Sequence, residues 1–493
     1  PQKKPHSEKY YKRIAFLNKY SLIFHFLLAC LLILAVETIS RRDFVSAITF
    51  ISNHTLAFLY NALIIFASLS LVYLTKYRTQ MRILISGLWI FLGTVNGLIL
   101  SNRVTPFSYT DLKCLPDLFA MQNTNYFTAE EATMVVAVVV AFFVILGLLF
   151  AKGPRYQGTR HTVLGPVSIA ALILIGLPIT TQAAQSSNIL ASYFANIAQG
   201  YSDYGFVYGF STSVVGRGMD KPEDYSDDAI NTLVDSASSP TTVSTGSEPN
   251  IICVLLESFC DPYEVNFLNM SEDPIPNFHN LEANYSTGYL TVPVVGAGTA
   301  NTEFEVLTGM SMQYFGTGEY PYKTILKQTD CESIAADLSQ IGYGTHVVHN
   351  NTATFYSRNN AFSMMGFDTF TSKECMNISQ YTPNGNWPTD DVLVQETVKA
   401  MNATENQSDF VYTITVEGHG DYPTEKVLEN PDILVSGAAD EASNNQWEYY
   451  VNMIHEVDDF IGDLITAVDR RGEDTIIVFF GDHLPTMGLT DAD

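Results

Sequence analysis

The sequence predicts a two-part protein: an α-helical membrane domain of five spans, then an extracellular α/β domain on a largely parallel sheet, incomplete at its C-terminus. Three observations predict it. Five apolar stretches, each about the 20 residues a spanning helix requires, crowd into the first 182 positions. Charge divides at the same point, with 16 Lys+Arg against 7 Asp+Glu in residues 1–182 and 10 against 45 in residues 183–493. Beyond that point, strand-like runs alternate with segments of helical period.

The apolar stretches lie at 20–39, 56–75, 81–100, 132–151 and 163–181. Basic groups gather in alternate connections: Lys3, Lys4, Lys9, Lys12 and Arg13 precede the first span, Lys76, Arg78 and Arg82 separate the second and third, and Lys152, Arg155 and Arg160 separate the fourth and fifth. The positive-inside rule assigns these to the cytoplasm, and an odd number of spans then puts everything after residue 183 outside the cell. Arg41 and Arg42, on the outer side, run against the pattern. The first span is no signal peptide, because it is long, lacks a small-residue cleavage site and is followed by four more. Segment 105–118 reads equally as an interfacial element or an ordinary extracellular loop.

The halves carry net charges of +9 and −35, together the overall −26. Such asymmetry indicates two parts living in different solvents. The acidic half is unsuited to nucleic acid, whose counterions are displaced by Lys and Arg. Of the six cysteines, Cys253 sits on a predicted strand as a core residue, and Cys331 and Cys375 could pair in an oxidising compartment. No zinc-type spacing occurs.

Residues 183–225 read as an irregular Tyr- and Gly-rich stretch and residues 236–249 as a polar Ser/Thr-rich linker. The organisation expected is therefore a membrane domain over 1–182, an extracellular linker over 183–249 and a globular domain over 250–493. Strands are expected at 250–256, 289–295, 344–349, 410–416 and 475–480, and helices at 330–341 and 446–469. Trp447, Tyr450, Val451, Ile454, Val457, Ile461, Leu464 and Val468 recur in the latter at spacings of three and four. The β/α alternation implies a parallel sheet with helices on both faces. The chain starts without Met and stops ten residues after His483, so it is expected to be a fragment.

Two of the strands deliver metal-type ligands at their C-terminal ends. Glu257 and Ser258 follow the run 250–256, and Gly481-Asp482-His483-Leu484-Pro485 follows the run 475–480. In open α/β sheets that edge is where ligands bind. Two carboxylates and an imidazole converging there indicate a divalent cation site. After the predicted strand 289–295 comes Gly296-Ala297-Gly298-Thr299-Ala300-Asn301-Thr302-Glu303-Phe304, which resembles a strand-to-helix turn. Thr299, Asn301 or Thr302 could cap the helix, and Thr302 with Glu305 fits a capping box. Alternatively, Thr299 presents its hydroxyl at a helix N-terminus that favours an anion such as phosphate. A threonine hydroxyl is a weak nucleophile unless a metal or base activates it.

Together, Glu257, the Gly298-Thr299-Ala300-Asn301-Thr302-Glu303-Phe304 turn and Gly481-Asp482-His483-Leu484-Pro485 resemble the lipoteichoic acid synthase family. That family joins a five-span membrane part to an extracellular, sulfatase-like domain of the alkaline phosphatase superfamily. The resemblance implies Glu257, Thr299, Asp482 and His483 as ligands of Mn²⁺ (or Mg²⁺), with Thr299 also the nucleophile. It implies His349, Asn351, Tyr356 and Arg358 as substrate contacts, with Arg358 clamping phosphate. It makes His419 a further substrate contact and the catalytic group that protonates the departing diacylglycerol. Glycine precedes Thr299 where the best-known synthases carry lysine, and Asn351 and Tyr356 stand for an Asp and a Trp. The Cys/Ser-x-Pro-x-Arg signature of true sulfatases is absent, which argues against sulfate ester hydrolysis.

The implied protein is a multi-pass membrane phosphoglycerol transferase whose catalytic domain is extracellular. Its donor would be phosphatidylglycerol, its acceptor a glycerophosphate polymer or glycolipid, and its intermediate a phospho-threonine. Phosphoethanolamine transfer, phosphoglycerol transfer to a glucan, and a non-catalytic envelope binding module are the alternatives.

Overall fold

The computed structural model describes residues 19–101, 104–113, 129–153, 160–194, 196–216, 218–219, 221–236, 248–404 and 407–489, with Glu8, Lys12 and Phe16. Lys3, Lys4, Lys9, Arg13, Cys114, Arg155 and linker residues 237–247 lie outside the described residues, as does 114–118 of the segment between spans. The chain forms two compact units, one within Pro1–Tyr109 and Thr124–Val215, the other within Thr110–Asn123 and Gly216–Asp493.

In the first unit, helices cover all five apolar segments: α1 (Ser21–Ser40), α3 (Thr55–Ser70), α4 (Arg78–Ile99), α5 (Ala129–Lys152) and α6 (Arg160–Ser186), with the short α2 (Phe44–Asn53) between α1 and α3. Among the described residues, four stretches are long and apolar enough to cross a membrane: Ser21–Ser40, Thr55–Leu74, Arg78–Ile99 and Val167–Ser186. The described side chains of α5 form a shorter apolar helix, Val140–Lys152. Leu31, Leu172, Ile175 and Ile179 are each more than 60% exposed. Water would make such an outward face costly, whereas hydrocarbon solvates it.

The stretch expected to be irregular, 183–225, instead contains α7 (Ile197–Tyr204) and α8 (Phe206–Val215). Aromatic residues drive this difference: Phe194, Tyr201, Phe206, Tyr208 and Phe210 are buried in one cluster with Ile33, Val36 and Ile65 of the bundle. Two buried polar side chains complete the docking. Glu37 of α1 accepts the Phe206 N–H at 2.8 Å and pairs with Arg41 at 2.8 Å. Asn61 of α3 accepts the Tyr208 N–H at 2.7 Å. Both satisfy N–H groups that the first turn of α8 cannot bond internally.

In the second unit, α9 (Asp227–Ser236) precedes the strands β1 (Asn250–Leu256), β2 (Asn269–Met270), β3 (Gly344–His349), β4 (Thr369–Ser372), β5 (Asp409–Ile414), β6 (Val435–Ser436) and β7 (Thr475–Gly481). The main sheet is parallel in the order β4-β3-β5-β1-β7, while β2 and β6 form a small antiparallel pair. Strand residues alternate between its two faces. Ile252, Val254, Leu256, Val348 and Val411 pack under α14 (Asp391–Met401) and α15 (Glu441–Asp469). Leu255, Val347, Phe410, Tyr412 and Ile414 pack against α11 (Thr299–Thr308), α12 (Ile334–Gln340) and α13 (Arg358–Met364); α10 (Pro276–Asn284) lies between β2 and α11 in sequence. The expected two-faced parallel architecture is present.

The long amphipathic helix is α15, started by Asp440, whose side chain accepts the Ser443 N–H at 2.7 Å. Its Tyr450, Val451, Ile454, Val457, Ile461 and Leu464 are all fully buried, each contributing about 1.5–3 kcal/mol of transfer free energy. One local expectation fails, and two possibilities left open by the sequence are not realised. Residues 289–295 form no strand, because Tyr285 through Thr291 stay exposed and no ladder partner reaches them; β-branched composition alone does not make a strand. The Thr302–Glu305 capping box is absent, since α11 begins at Thr299 and Gly298 occupies the cap. Cys331 and Cys375 are both free thiols, as are Cys30, Cys253 and Cys260.

Candidate functional site

Parallel pairing places every C-terminal strand end at one edge of the sheet. Leu256 pairs with Gly481, Leu255 with Ile414, and His349 with Ile414. The next residues of each strand, Glu257, Asp482, Thr415 and Asn350, therefore emerge side by side. Gly481 is needed for the approach, because a Cβ there would sit 2.4 Å from the Phe259 carbonyl oxygen.

Glu257, Asp482 and His483 are buried and bring one ligand atom each to within 4.8 Å of one another. The backbone holds them there. Thr415 Oγ1 accepts the Glu257 N–H at 2.8 Å, and Asp482 Oδ1 accepts both the Ser258 and the His483 N–H at 2.8 Å. The Thr302 hydroxyl donates to the Asp482 carbonyl at 2.9 Å, so it works for the site instead of capping its helix. Ser258 turns the chain with φ +54, a conformation unfavourable for a side-chain-bearing residue. The Tyr450 hydroxyl secures it by donating to the Ser258 carbonyl at 2.7 Å.

The His483 ring has a defined tautomer. Its Nδ1 lies 3.0 Å from the Leu484 carbonyl, which can only accept, so Nδ1 carries the proton. Nε2 then faces the carboxylates, 3.2 Å from Asp482 Oδ2 and 3.6 Å from Glu257 Oε1. Burial pushes the Glu257 carboxyl up, and burial with the neighbouring Glu257 charge pushes Asp482 up to about 6. Burial opposes charge on His483, yet Asp482 and Glu257 outweigh it and raise that imidazole. Asp482 Oδ2 is buried and accepts no hydrogen bond. An orphaned carboxylate oxygen beside a second carboxylate and a lone-pair imidazole fits a hard divalent cation. Removing such a cation should restore the repulsion between Glu257 and Asp482. Chelation is expected to lower Tm by about 5 °C, with recovery on adding Mn²⁺; an unchanged melting curve with and without chelator would dismiss the cation.

Thr299 opens α11 behind Gly298, whose φ of +105 only glycine adopts readily. The Thr299 side chain is buried and its hydroxyl donates to Glu257 Oε2 at 3.2 Å. The hydroxyl thus stands at a helix N-terminus beside the ligand cluster, where backbone N–H groups favour an anion.

The other sequence-predicted residues divide. His349 ends β3, buried, with Nδ1 donating to the Ile414 carbonyl at 2.9 Å. Its Nε2 is buried without a partner, and burial and Arg358 hold the ring well below its ordinary pKa, leaving a neutral acceptor. His419 is half-buried beside Trp387, ring centroids 4.3 Å apart, and burial pushes it down to about 4. Arg358 is committed elsewhere: Nε and Nη2 both reach the fully buried Glu303, at 3.1 and 2.5 Å. Asn351 uses its side-chain oxygen on the Thr352 N–H at 2.7 Å. Tyr356, at φ +55, stacks on Tyr320 at 5.3 Å. Sequence reasoning gave no such role to Ser258, Thr302, Thr415 or Tyr450, since each acts only through a neighbour in space.

The Sulfatase family matches residues 249–491. A Rhizobium meliloti (strain 1021) protein, provisionally named a cyclic beta-1,2-glucan modification protein, is 30% identical over 289 residues, 59% of this chain and 44% of the relative. The lipoteichoic acid synthase of Staphylococcus saprophyticus is 24% identical over 242 residues, 48% of this chain and 35% of the relative. The solved phosphoglycerol transferase GacH of Streptococcus pyogenes, in complex with sn-glycerol-1-phosphate, is 21% identical with a TM-score of 0.47, covering 56% of this chain and 73% of that one. The chain spans less than half the length of the curated relatives it matches. The resemblance first seen in the motifs is borne out: apolar helices are followed by a sulfatase-like α/β domain, similar to lipoteichoic acid synthases.

Proposed function

Proceeding from a sulfatase-like domain that follows apolar helices, we propose that this chain is a membrane-anchored phosphotransferase acting on a lipid phosphodiester at the outer face of the membrane. Its donor is phosphatidylglycerol and its acceptor a cell-envelope polymer or glycan. The observation that carries this reading is the Thr299 hydroxyl at a helix N-terminus, 3.2 Å from Glu257 and beside the Asp482–His483 pair.

Thr299 Oγ1 attacks phosphorus, the bond from phosphorus to the diacylglycerol oxygen breaks, and glycerophospho-threonine forms. The hydroxyl proton ends on the departing diacylglycerol oxygen. An acceptor hydroxyl then attacks the same phosphorus, and its proton returns to Thr299 as the threonine ester breaks. Glu257, Thr299, Asp482 and His483 would hold Mn²⁺ (or Mg²⁺), which when bound would sharpen the nucleophile and neutralise phosphoryl oxygens. His419 is neutral at pH 7, as its low pKa requires, so it relays the proton instead of storing one. His349, also neutral, offers Nε2 as an acceptor for a substrate hydroxyl. The basic connections between spans support a cytoplasmic side and hence an extracellular catalytic domain.

The name of the 30% identical relative favours a second reading, a glucan acceptor for the same phosphoglycerol chemistry. The full chain with headgroup-labelled phosphatidylglycerol and Mn²⁺ should release diacylglycerol, and with phosphatidylethanolamine it should not. Release from the ethanolamine lipid alone would replace the donor; release from neither by folded, metal-loaded protein would end the transferase reading.

A further inference from the structure

Asp390 stands at the N-cap of α14, where an aspartate ordinarily accepts an N–H from the first turn of its own helix. It makes no such bond. Its carboxylate, fully buried, turns instead toward the catalytic edge of the sheet. Oδ1 accepts from Asn350 Nδ2 at 2.8 Å and from the Val416 N–H at 2.9 Å, and Oδ2 accepts from the Glu417 N–H at 3.2 Å. The Asp390 N–H in turn donates to Glu417 Oε2 at 2.8 Å, so the two acids clasp each other's backbone. Asn350 Nδ2 also donates to the Thr389 carbonyl at 3.1 Å.

We propose that Asp390 is a positioning residue that locks together the two strand-end segments carrying His349 and His419. Asn350 directly follows His349 at the end of β3, and Val416 and Glu417 lead from β5 to His419. Immediately before Val416 comes Thr415, whose hydroxyl accepts the Glu257 N–H. One buried carboxylate thus sets the spacing of both histidines relative to the ligand cluster without touching substrate. Three N–H donors to one carboxylate make a strong, directional clamp. An aspartate that forgoes its capping bond for contacts across the sheet is doing so for the geometry of that edge.

This inference rests on the proposed roles of His349 and His419, so the test separates the clamp from the chemistry. In the full chain in detergent with Mn²⁺, hydrogen exchange is read over peptides 346–352 and 412–420. Turnover of bis(p-nitrophenyl) phosphate, which lacks any lipid headgroup, is measured alongside. Asp390→Asn places an amide donor against one of the three N–H groups. It is expected to speed exchange about tenfold in both peptides, while β1 and α15 remain protected. It is also expected to lower kcat about 10- to 100-fold with KM nearly unchanged, as misplacement of positioned groups does. Asn350→Ala, a milder change, should loosen 346–352 alone. Unchanged exchange in both peptides overturns the clamp, as does a rise spread evenly over the domain. If wild type leaves the probe untouched, the phosphodiester reading fails and the exchange pattern alone decides for or against Asp390.

Discussion

Replacing Thr299 by alanine is expected to lower donor turnover about ten-thousandfold or more while leaving the protein folded, with only Glu257, Asp482 and His483 left to hold a cation. A covalent nucleophile has no substitute in its own site, so its loss leaves only binding and electrostatic stabilisation. The structural cost is small: one hydrogen bond to Glu257 is lost, about 1 kcal/mol. Two measurements check this. With donor and no acceptor, mass spectrometry of wild type should find a glycerophosphate adduct on Thr299. In Thr299→Ala both the adduct and the release of diacylglycerol should vanish. An adduct on another residue, or turnover retained within tenfold, would move the nucleophile away from Thr299.

Arg358→Ala is expected to destabilise the second unit by about 3–5 kcal/mol, whatever it does to catalysis. Arg358 and Glu303 are both buried, and the pair is joined through Nε and Nη2 of the guanidinium. The Tyr322 hydroxyl also donates to Glu303, at 3.1 Å. Removing the arginine leaves a carboxylate stranded in the core with one neutral donor. Urea denaturation of Arg358→Ala, Glu303→Ala and the double variant should show both single losses large and the double loss well below their sum. Additive losses, or an Arg358→Ala loss under 1 kcal/mol, would mean that the pair does not hold α11 to α13. Any phosphate contact by Arg358 has to use the Nη1 side of a guanidinium whose other edge is taken. Lysine cannot make both contacts, so Arg358→Lys should also fail to restore stability.

Much of the architecture was legible because it depends on composition and period. Apolar length marks α1, α3, α4, α5 and α6, since hydrocarbon demands it. The three- and four-residue recurrence of Trp447 through Val468 marks α15, since a helix buries one face. β1, β3, β5 and β7 were legible as β-branched runs between polar stretches. Less legible was everything that depends on a distant partner. Residues 289–295 have the composition of a strand and join no sheet, while the four-residue β4 forms because β3 offers it an edge. The helices α7 and α8 were hidden in a Tyr- and Gly-rich stretch, because their order comes from aromatic burial and from Glu37 on α1 and Asn61 on α3.

The site divides along the same line. Ligand types at the ends of apolar runs are a local signal, so the sequence by itself determined Glu257, Asp482 and His483 as candidate ligands. The glycine-rich turn likewise marked Thr299 by itself. Which of these meet, and in what state, belongs to the tertiary structure. Register alone brings Leu256 opposite Gly481 and His349 opposite Ile414, and so sets four strand ends abreast. The same folding spends Thr302 on the Asp482 carbonyl, Arg358 on Glu303 and Asp390 on the two histidine segments. Residue type follows from local chemistry; the pairing of buried polar groups follows from which strands lie side by side, because a buried donor or acceptor must find its partner wherever the fold has put one.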